Sequence, residues 1–151
     1  MDQAVTEQKL SSKDLLLQER VSQAIHDLVM VRETRAPITV LAQDGVVTLQ
    51  GHVLSEIMRR AVQYKAATTP GVTKVIDEMY DDPSIELAVA AALAAHGTLA
   101  GRSIITTCYR GEVTLTGEVE GEEERAAAIE TAAGIEGVRT VVDHLQVGGG
   151  G

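Results

Sequence analysis

The stretch that decides the fold is Asp44-Gly45-Val46-Val47-Thr48-Leu49-Gln50-Gly51-His52-Val53, because a close copy of it recurs 66 residues later. The copy reads Arg110-Gly111-Glu112-Val113-Thr114-Leu115-Thr116-Gly117-Glu118-Val119. Each stretch predicts a turn followed by a strand with alternating apolar side chains and a glycine inside it. A repeat of this kind has to be recognised before a fold is assigned.

The copy continues without a gap to the end of each unit. Between Gly45–Met79 and Gly111–Leu145, about two-fifths of the positions are identical. Besides the strand, the identical positions include Glu56/Glu122, Arg59/Arg125, Ala61/Ala127, Gly71/Gly137, Val75/Val141 and Asp77/Asp143. The chain of 151 residues is therefore predicted to hold two small domains rather than one.

Composition limits the cores and the partners of these domains. The hydrophobic content is 44%, but Phe and Trp are absent and Tyr occurs three times. Small cores without large aromatic side chains gain less from burial, so we expect the units to pack on each other or on a partner. The net charge of −9 disfavours nonspecific binding to nucleic acid and to anionic lipid. The one cysteine, Cys108, excludes an intramolecular disulfide.

The first half of the chain alternates helical and strand patterns. Residues 1–12 are predicted to be a flexible arm, and 13–30 an amphipathic helix that Ser12 or Asp14 caps. Strands are predicted at 38–42, before the Asp44-Gly45 turn, and at 46–53 after it. A helix from Ser55-Glu56 to Pro70-Gly71 and a third strand at 73–80 complete the unit.

The second half repeats this order. Residues 81–84 form the linker and the start of the next helix, and strands are predicted at 103–109, 112–119 and 139–147 around a helix at 122–133. The predicted boundaries are 13–81 for the first domain, 82–147 for the second and 148–151 for a flexible glycine tail. The fold class is α+β, with each unit a three-stranded sheet that carries two helices on one face. The third strand can lie beside the second or beyond the first.

The opposite face of each sheet is predicted to be a mixed polar and apolar surface that suits a partner. It carries Thr48, Gln50, Thr114 and Thr116 together with Val46 and Ile76.

Residues with reactive side chains do not form a recognisable site. His26, His52, His96 and His144 lack metal-ligand spacing, so they are interpreted as surface or edge histidines. Cys108 is interpreted as a buried structural thiol. The sequence contains neither a Gly-x-Ser-x-Gly elbow nor a glycine loop for phosphate. We therefore predict no catalytic residues, no metal and no cofactor.

The repeated charged and glycine residues are interpreted as determinants of the fold. Arg59 and Arg125 could grip phosphate, but an exposed ion pair with Glu56 or Glu122, three residues earlier, is favoured. Asp77 and Asp143 are expected to cap or hydrogen-bond a neighbouring loop, and this role is favoured over catalysis. Gly51 and Gly117 could mark a ligand, although a bulge or close helix packing is favoured. The full set is Gly45, Gly51, Arg59, Gly71, Asp77, Gly111, Gly117, Arg125, Gly137 and Asp143.

The ordered set of motifs resembles the BON domain, a family of bacterial modules related to osmotic stress and nodulation. The resemblance lies in Val47–Val53 with Arg59, Gly71-Val72 and Val75-Ile76-Asp77, and again in the equivalent residues of the second unit. It implies a module without catalytic chemistry. It also implies association with phospholipid surfaces, stress protection, secretion assemblies or, in one branch, potassium sensing.

The leading hypothesis is a non-enzymatic interaction protein that engages protein partners or itself. Binding to a membrane surface and sensing of a cytoplasmic cation are the alternatives, and no nucleic acid is expected. The N-terminus lacks the pattern of a secretory signal. We therefore expect a cytoplasmic protein as written, or a periplasmic one if a leader has been removed.

Overall fold

The computed structural model describes residues 10–148. Most of the predicted N-terminal arm and the last three residues of the predicted glycine tail lie outside the described residues. At the two ends of the described chain, Ser12 belongs to a helix, and the amide of Gly148 donates to the carbonyl of Val119 at 2.7 Å. The described chain forms two compact units.

The first unit contains three helices and three strands. They are α1 (Ser12–His26), α2 (Val29–Thr34), β1 (Ile38–Gln43), β2 (Val46–Val53), α3 (Glu56–Ala67) and β3 (Lys74–Asp81). The prediction of one helix over 13–30 is wrong, because Leu28 takes an extended conformation (φ −64°, ψ 131°) and separates α1 from α2.

The start of α1 also differs from the prediction. Ser11, rather than Ser12 or Asp14, is the N-cap, and its hydroxyl accepts from the amide of Asp14 at 3.0 Å. The Asp14 carboxylate accepts in return from the amide of Ser11 at 3.2 Å. This reciprocal capping box satisfies two amides at once, which favours Ser11 as the cap.

The sheet of the first unit has the strand order β1-β2-β3, so the third strand lies beside the second. The hairpin is confirmed: Gln43 is opposite Val46, and Asp44 and Gly45 both have positive φ. Two central residues with positive φ make a type I′ turn, whose twist matches the strands. Buried side chains from α1, β1, β2 and α3 form the core, among them Val21, Ile25, Val40, Val47, Leu49 and Val62.

The second unit repeats the arrangement without a counterpart of α2. It contains α4 (Asp82–Ala95), β4 (Ile104–Tyr109), β5 (Glu112–Val119), α5 (Glu122–Ala133) and β6 (Thr140–Val147). Strand β4 pairs antiparallel with β5, and β5 pairs parallel with β6. The predicted linker is not a loop, because Asp81 ends β3 and caps α4 by accepting from the amide of Ser84 at 2.9 Å.

Both units are α+β modules with a three-stranded mixed sheet, as the sequence predicts. The core of the second unit joins α4, α5 and one face of its sheet. Its buried members include Ile85, Val89, Leu93, Val113, Leu115, Val119, Ala128 and Ala132. Since the helices contribute to this core, the other face of the sheet is left for solvent or for a partner.

Candidate interaction surfaces

An arginine on the second long helix of each unit binds an aspartate on the third strand. Arg59 on α3 donates from Nη1 to Asp77 Oδ2 at 2.7 Å and to the carbonyl oxygen of Met79 at 2.9 Å. Asp77 Oδ1 accepts from the amide of Met79 at 2.9 Å. These bonds fasten the helix to the strand that follows it, so Arg59 and Asp77 determine the shape of the unit.

The second unit repeats this contact with a looser geometry. Arg125 lies 3.4 Å from Asp143 and donates to the carbonyl oxygen of Leu145 at 3.1 Å. The predicted local pairs also form, with Arg59 at 3.3 Å from Glu56 and Arg125 at 3.6 Å from Glu122. The expectation that these arginines are exposed is wrong, because their side chains are only 16% and 31% exposed. Asp77 and Asp143 hold a helix rather than a loop.

An aspartate near the start of each first helix binds the hairpin turn of its own unit. Asp14 Oδ1 accepts from the amide of Asp44 at 2.8 Å. In the second unit, the buried Asp82 accepts from the amides of Arg110 and Gly111 at 2.7 and 2.9 Å. The bond from Asp44, as the largest cause, holds the pKa of the Asp14 carboxyl below its usual value.

The thiol of Cys108 also contacts Asp82, with Sγ 3.4 Å from Oδ1. Burial and then the charge of Asp82 raise the pKa of Cys108 to about 12. The thiol therefore stays protonated at neutral pH, which makes it a weak nucleophile. Its position agrees with the structural interpretation, although the residue is half-buried rather than buried.

The glycines inside the second strands lie against the backbone of the segment that enters the first strand of their unit. A Cβ atom at Gly51 would collide with the carbonyl oxygen of Pro37, and one at Gly117 with that of Ser103. Both glycines have positive φ, 120° and 141°. The sequence favoured a bulge or close helix packing as the reason for these glycines. The structure gives a different reason: the backbone that enters the first strand passes close to each glycine. Of the other glycines, Gly45 and Gly111 form the hairpin turns, while Gly71 and Gly137 precede β3 and β6.

The titratable residues within 10–148 include no group of three or more His, Cys, Asp or Glu that could hold a metal ion. The interpretation of all four histidines as surface or edge residues is wrong for His52, which lies in the central strand β2 and is buried. No described helix is both long enough and apolar enough to span a bilayer.

The outer face of the first sheet is a mixed surface over a shallow depression of about 530 Å³. Its apolar lining includes Leu41, Val46 and Ile76, and Thr48 adds a hydroxyl. The side chain of Leu41 is 41% exposed. On the same face, the side-chain amide of Gln50 donates to the carboxylate of Glu78 at 3.0 Å.

The outer face of the second sheet carries larger exposed side chains. Ile105 and Tyr109 on β4 are 63% and 50% exposed. Their neighbours across the sheet follow from the register: Ile105 is opposite Thr116, Thr116 is opposite His144, and Thr114 is opposite Val142. This face therefore combines hydroxyl groups with an aliphatic and an aromatic side chain. Aromatic side chains such as that of Tyr109 are enriched at protein-binding surfaces.

Comparison with known proteins identifies the module. The family model described as the BON domain matches residues 13–79 and again 81–149. The chain belongs to the BON-domain family.

The two matched ranges differ in charge. Residues 13–79 contain eight basic and eight acidic residues, and residues 81–149 contain four basic and twelve acidic residues. The negative charge of this BON protein is therefore concentrated in its second domain.

Two curated relatives share part of their length with the chain. It is 35% identical over 72 residues to osmotically-inducible protein Y of Escherichia coli, covering 48% of this chain and 36% of the relative. It is 31% identical over 117 residues to the outer membrane lipoprotein DolP of Haemophilus influenzae, covering 76% of this chain and 59% of DolP. The chain thus spans between about a third and three-fifths of these relatives.

A solved structure shares the fold. The C-terminal domain of CdsD, a structural protein of the type III secretion system of Chlamydia trachomatis, superposes with a TM-score of 0.64 at 18% identity. The superposition covers 91% of this chain and 66% of that one. At this identity the likeness concerns the fold alone.

Proposed function

We propose that this chain is a non-enzymatic interaction module that binds protein partners through the outer faces of its two sheets. The observation that carries the proposal is that the helices of each unit cover one sheet face only. The remaining faces expose Leu41 in the first unit and Ile105 and Tyr109 in the second. A protein partner that binds there would bury these exposed apolar and aromatic side chains away from water.

The chemistry of the described residues supports a binding role over catalysis. The repeated residues are engaged in shaping the fold: Arg59 holds Asp77, and Asp82 holds the Arg110-Gly111 turn. Cys108 is protonated at neutral pH because its pKa is raised to about 12. These groups act on the backbone and on one another rather than converging on a pocket where a substrate could react.

The test uses two sheet-face variants and a matched control. Leu41→Glu and Ile105→Glu place a charge on the outer face of the first and the second sheet. Leu15→Glu makes the same change on α1, where Leu15 is 51% exposed. Tagged full-length chains serve as bait in extracts of the source cells. A protein that wild type and Leu15→Glu retain, and that the sheet-face variants lose, would then be purified and its affinity measured by calorimetry.

A charge buried in such a contact without a partner should weaken binding by at least about tenfold, or more than about 1.4 kcal/mol. Equal retention by wild type and by both sheet-face variants would contradict the proposal, and so would a wild-type chain that retains nothing specific.

We propose the periplasm as the compartment in which the module works. The support comes from DolP, whose name places it at the outer membrane. Fractionation of the source cells with an antibody against this chain tests the proposal. The chain should appear with periplasmic markers, and recovery with cytoplasmic markers would contradict it.

A further inference from the structure

Helix α3 presents three large side chains on one side. Ile57, Arg60 and Tyr64 are spaced by three and four residues, which places them together on the helix surface. Their exposed fractions are 73%, 77% and 71%. We call these residues the α3 face. Tyrosine and arginine are enriched among the residues that dominate binding energies at protein interfaces.

The equivalent helix in the second unit presents a face of opposite character. The positions 66 residues later on α5 are Glu123, Ala126 and Glu130, and all three are exposed. We call these residues the α5 face. It places a small side chain between two carboxylates.

The two faces are complementary in size and in charge. Ile57 and Tyr64 project from the first, while alanine leaves room on the second. The hydroxyl of Tyr64 and the guanidinium of Arg60 are donors, and the carboxylates of Glu123 and Glu130 are acceptors. The single basic residue of α5, Arg125, is engaged with Asp143 and Glu122.

Arg60 already lies 3.4 Å from Glu56 in its own helix, but both side chains are mostly exposed, at 77% and 57%. Such a surface pair is weak. The five N–H donors of the guanidinium also leave room for a second carboxylate. The contact within α3 therefore does not prevent Arg60 from binding an acidic partner.

We propose that copies of this chain associate head to tail, with the α3 face of one copy against the α5 face of the next. Charge selects this pairing, because two α5 faces would bring four glutamates together. Net charge also disfavours the pairing of two second domains, since residues 81–149 carry twelve acidic residues against four basic ones, whereas residues 13–79 carry no net charge. The contact is heterologous, so it extends into a chain of copies unless the rotation closes a ring.

The contact is independent of the outer sheet faces that we propose for protein partners. It is also small: a stable interface buries roughly 800 Å² on each side, which is more than one helix face supplies. We therefore expect weak association that grows with protein concentration and falls as salt screens the exposed charges.

Sedimentation velocity tests the pairing through a charge exchange between two variants. Arg60→Glu places a carboxylate opposite Glu130, and Glu130→Arg places a guanidinium opposite Arg60. Each variant alone should associate at least about tenfold more weakly than wild type. In an equimolar mixture, each altered face meets the opposite charge on the other variant, so association should return. Glu19→Arg, the same charge change on α1, should leave association at the wild-type level.

Measurements run from micromolar to millimolar concentration in low and in high salt, and circular dichroism verifies that each variant is folded. A wild-type chain that keeps the monomer mass throughout would overturn the proposal. So would single variants that associate like wild type, or a mixture that associates no better than its components. Leu41→Glu and Ile105→Glu should associate like wild type, which separates this contact from the sheet-face binding.

Discussion

The two arginine–aspartate contacts allow a comparison of the same interaction in two environments within one chain. The first has Arg59 Nη1 at 2.7 Å from Asp77, with side chains 16% and 22% exposed. The second has Arg125 at 3.4 Å from Asp143, with side chains 31% and 25% exposed. A hydrogen bond to a charged group contributes about 1.5–3 kcal/mol, whereas an exposed ion pair contributes about 0–1 kcal/mol. We therefore expect unequal coupling energies in the two units.

A double-mutant cycle measures each coupling. The substitutions are Arg59→Met and Asp77→Asn in the first unit, and Arg125→Met and Asp143→Asn in the second. We expect a coupling of about 1–2 kcal/mol in the first unit, once solvent screening is allowed for, and of less than about 1 kcal/mol in the second. In the first unit, Arg59→Met alone should cost more than the coupling, because it leaves a partly buried carboxylate without its cation.

The assay must report the two units separately, since a melt of a two-domain chain can merge two transitions. Native-state hydrogen exchange of the amides in β2 and β5 gives a free energy of opening for each unit. Equal couplings, or a larger coupling in the second unit, would refute the reasoning that distance and exposure set the strength of the contact. A substitution that changes exchange in the other unit would show that the cycle does not isolate the pair.

Three further outcomes follow from the geometry. Gly51→Ala and Gly117→Ala should each lower the stability of their unit by about 2 kcal/mol or more, because each combines positive φ with a backbone clash. Gly97→Ala, where a Cβ meets nothing within 4 Å, is the control in thermal melts and should change little. Cys108 should react with iodoacetamide at pH 8 about a thousandfold more slowly than a free thiol, since its pKa is raised to about 12; a rate equal to that of free cysteine would contradict this. The hydrogen bond from the Asp44 amide lowers the pKa of Asp14 in the folded state. The ionised Asp14 carboxylate therefore contributes its full stabilisation above the unfolded pKa near 3.8, and this stabilisation is lost as pH falls through the lower folded pKa. Urea midpoints should therefore fall with acid more steeply in wild type than in Asp14→Asn, and parallel curves would contradict the assignment.

The repeat made most of the secondary structure predictable. Alternation in 46–53 and 112–119 predicted both central strands, and the Asp44-Gly45 pair predicted the hairpin that the register confirms. The strand order was not predictable, because a helical connection can return the chain to either side of the hairpin. The structure places the third strand beside the second in both units. A single crossover helix can join adjacent strands in this way.

The contacts that hold each unit together were harder to infer than its elements. Arg59 and Asp77 are 18 residues apart, and Arg125 and Asp143 have the same separation, so a signal for the pairing was present. The arginine–aspartate pairing was not predicted, because a glutamate three residues before each arginine is a nearer partner in the sequence. The bonds of Asp14 and Asp82 to the hairpin turns were missed for a similar reason. A carboxylate at a helix start is expected to serve its own helix.

The two copies share residues that set the backbone, whereas many of their exposed side chains differ. Glycine at 51 and 117 is required by a backbone contact, and an arginine–aspartate pair joins a helix to a strand in both units. At exposed positions the copies differ in size and even in charge, as Tyr64 and Glu130 do. A module doubled only to gain avidity for one repeated ligand needs two equal surfaces. Two unequal surfaces instead fit a chain whose two domains bind different partners. The complementary charges on the equivalent helices α3 and α5 favour a second copy of the chain as one of these partners.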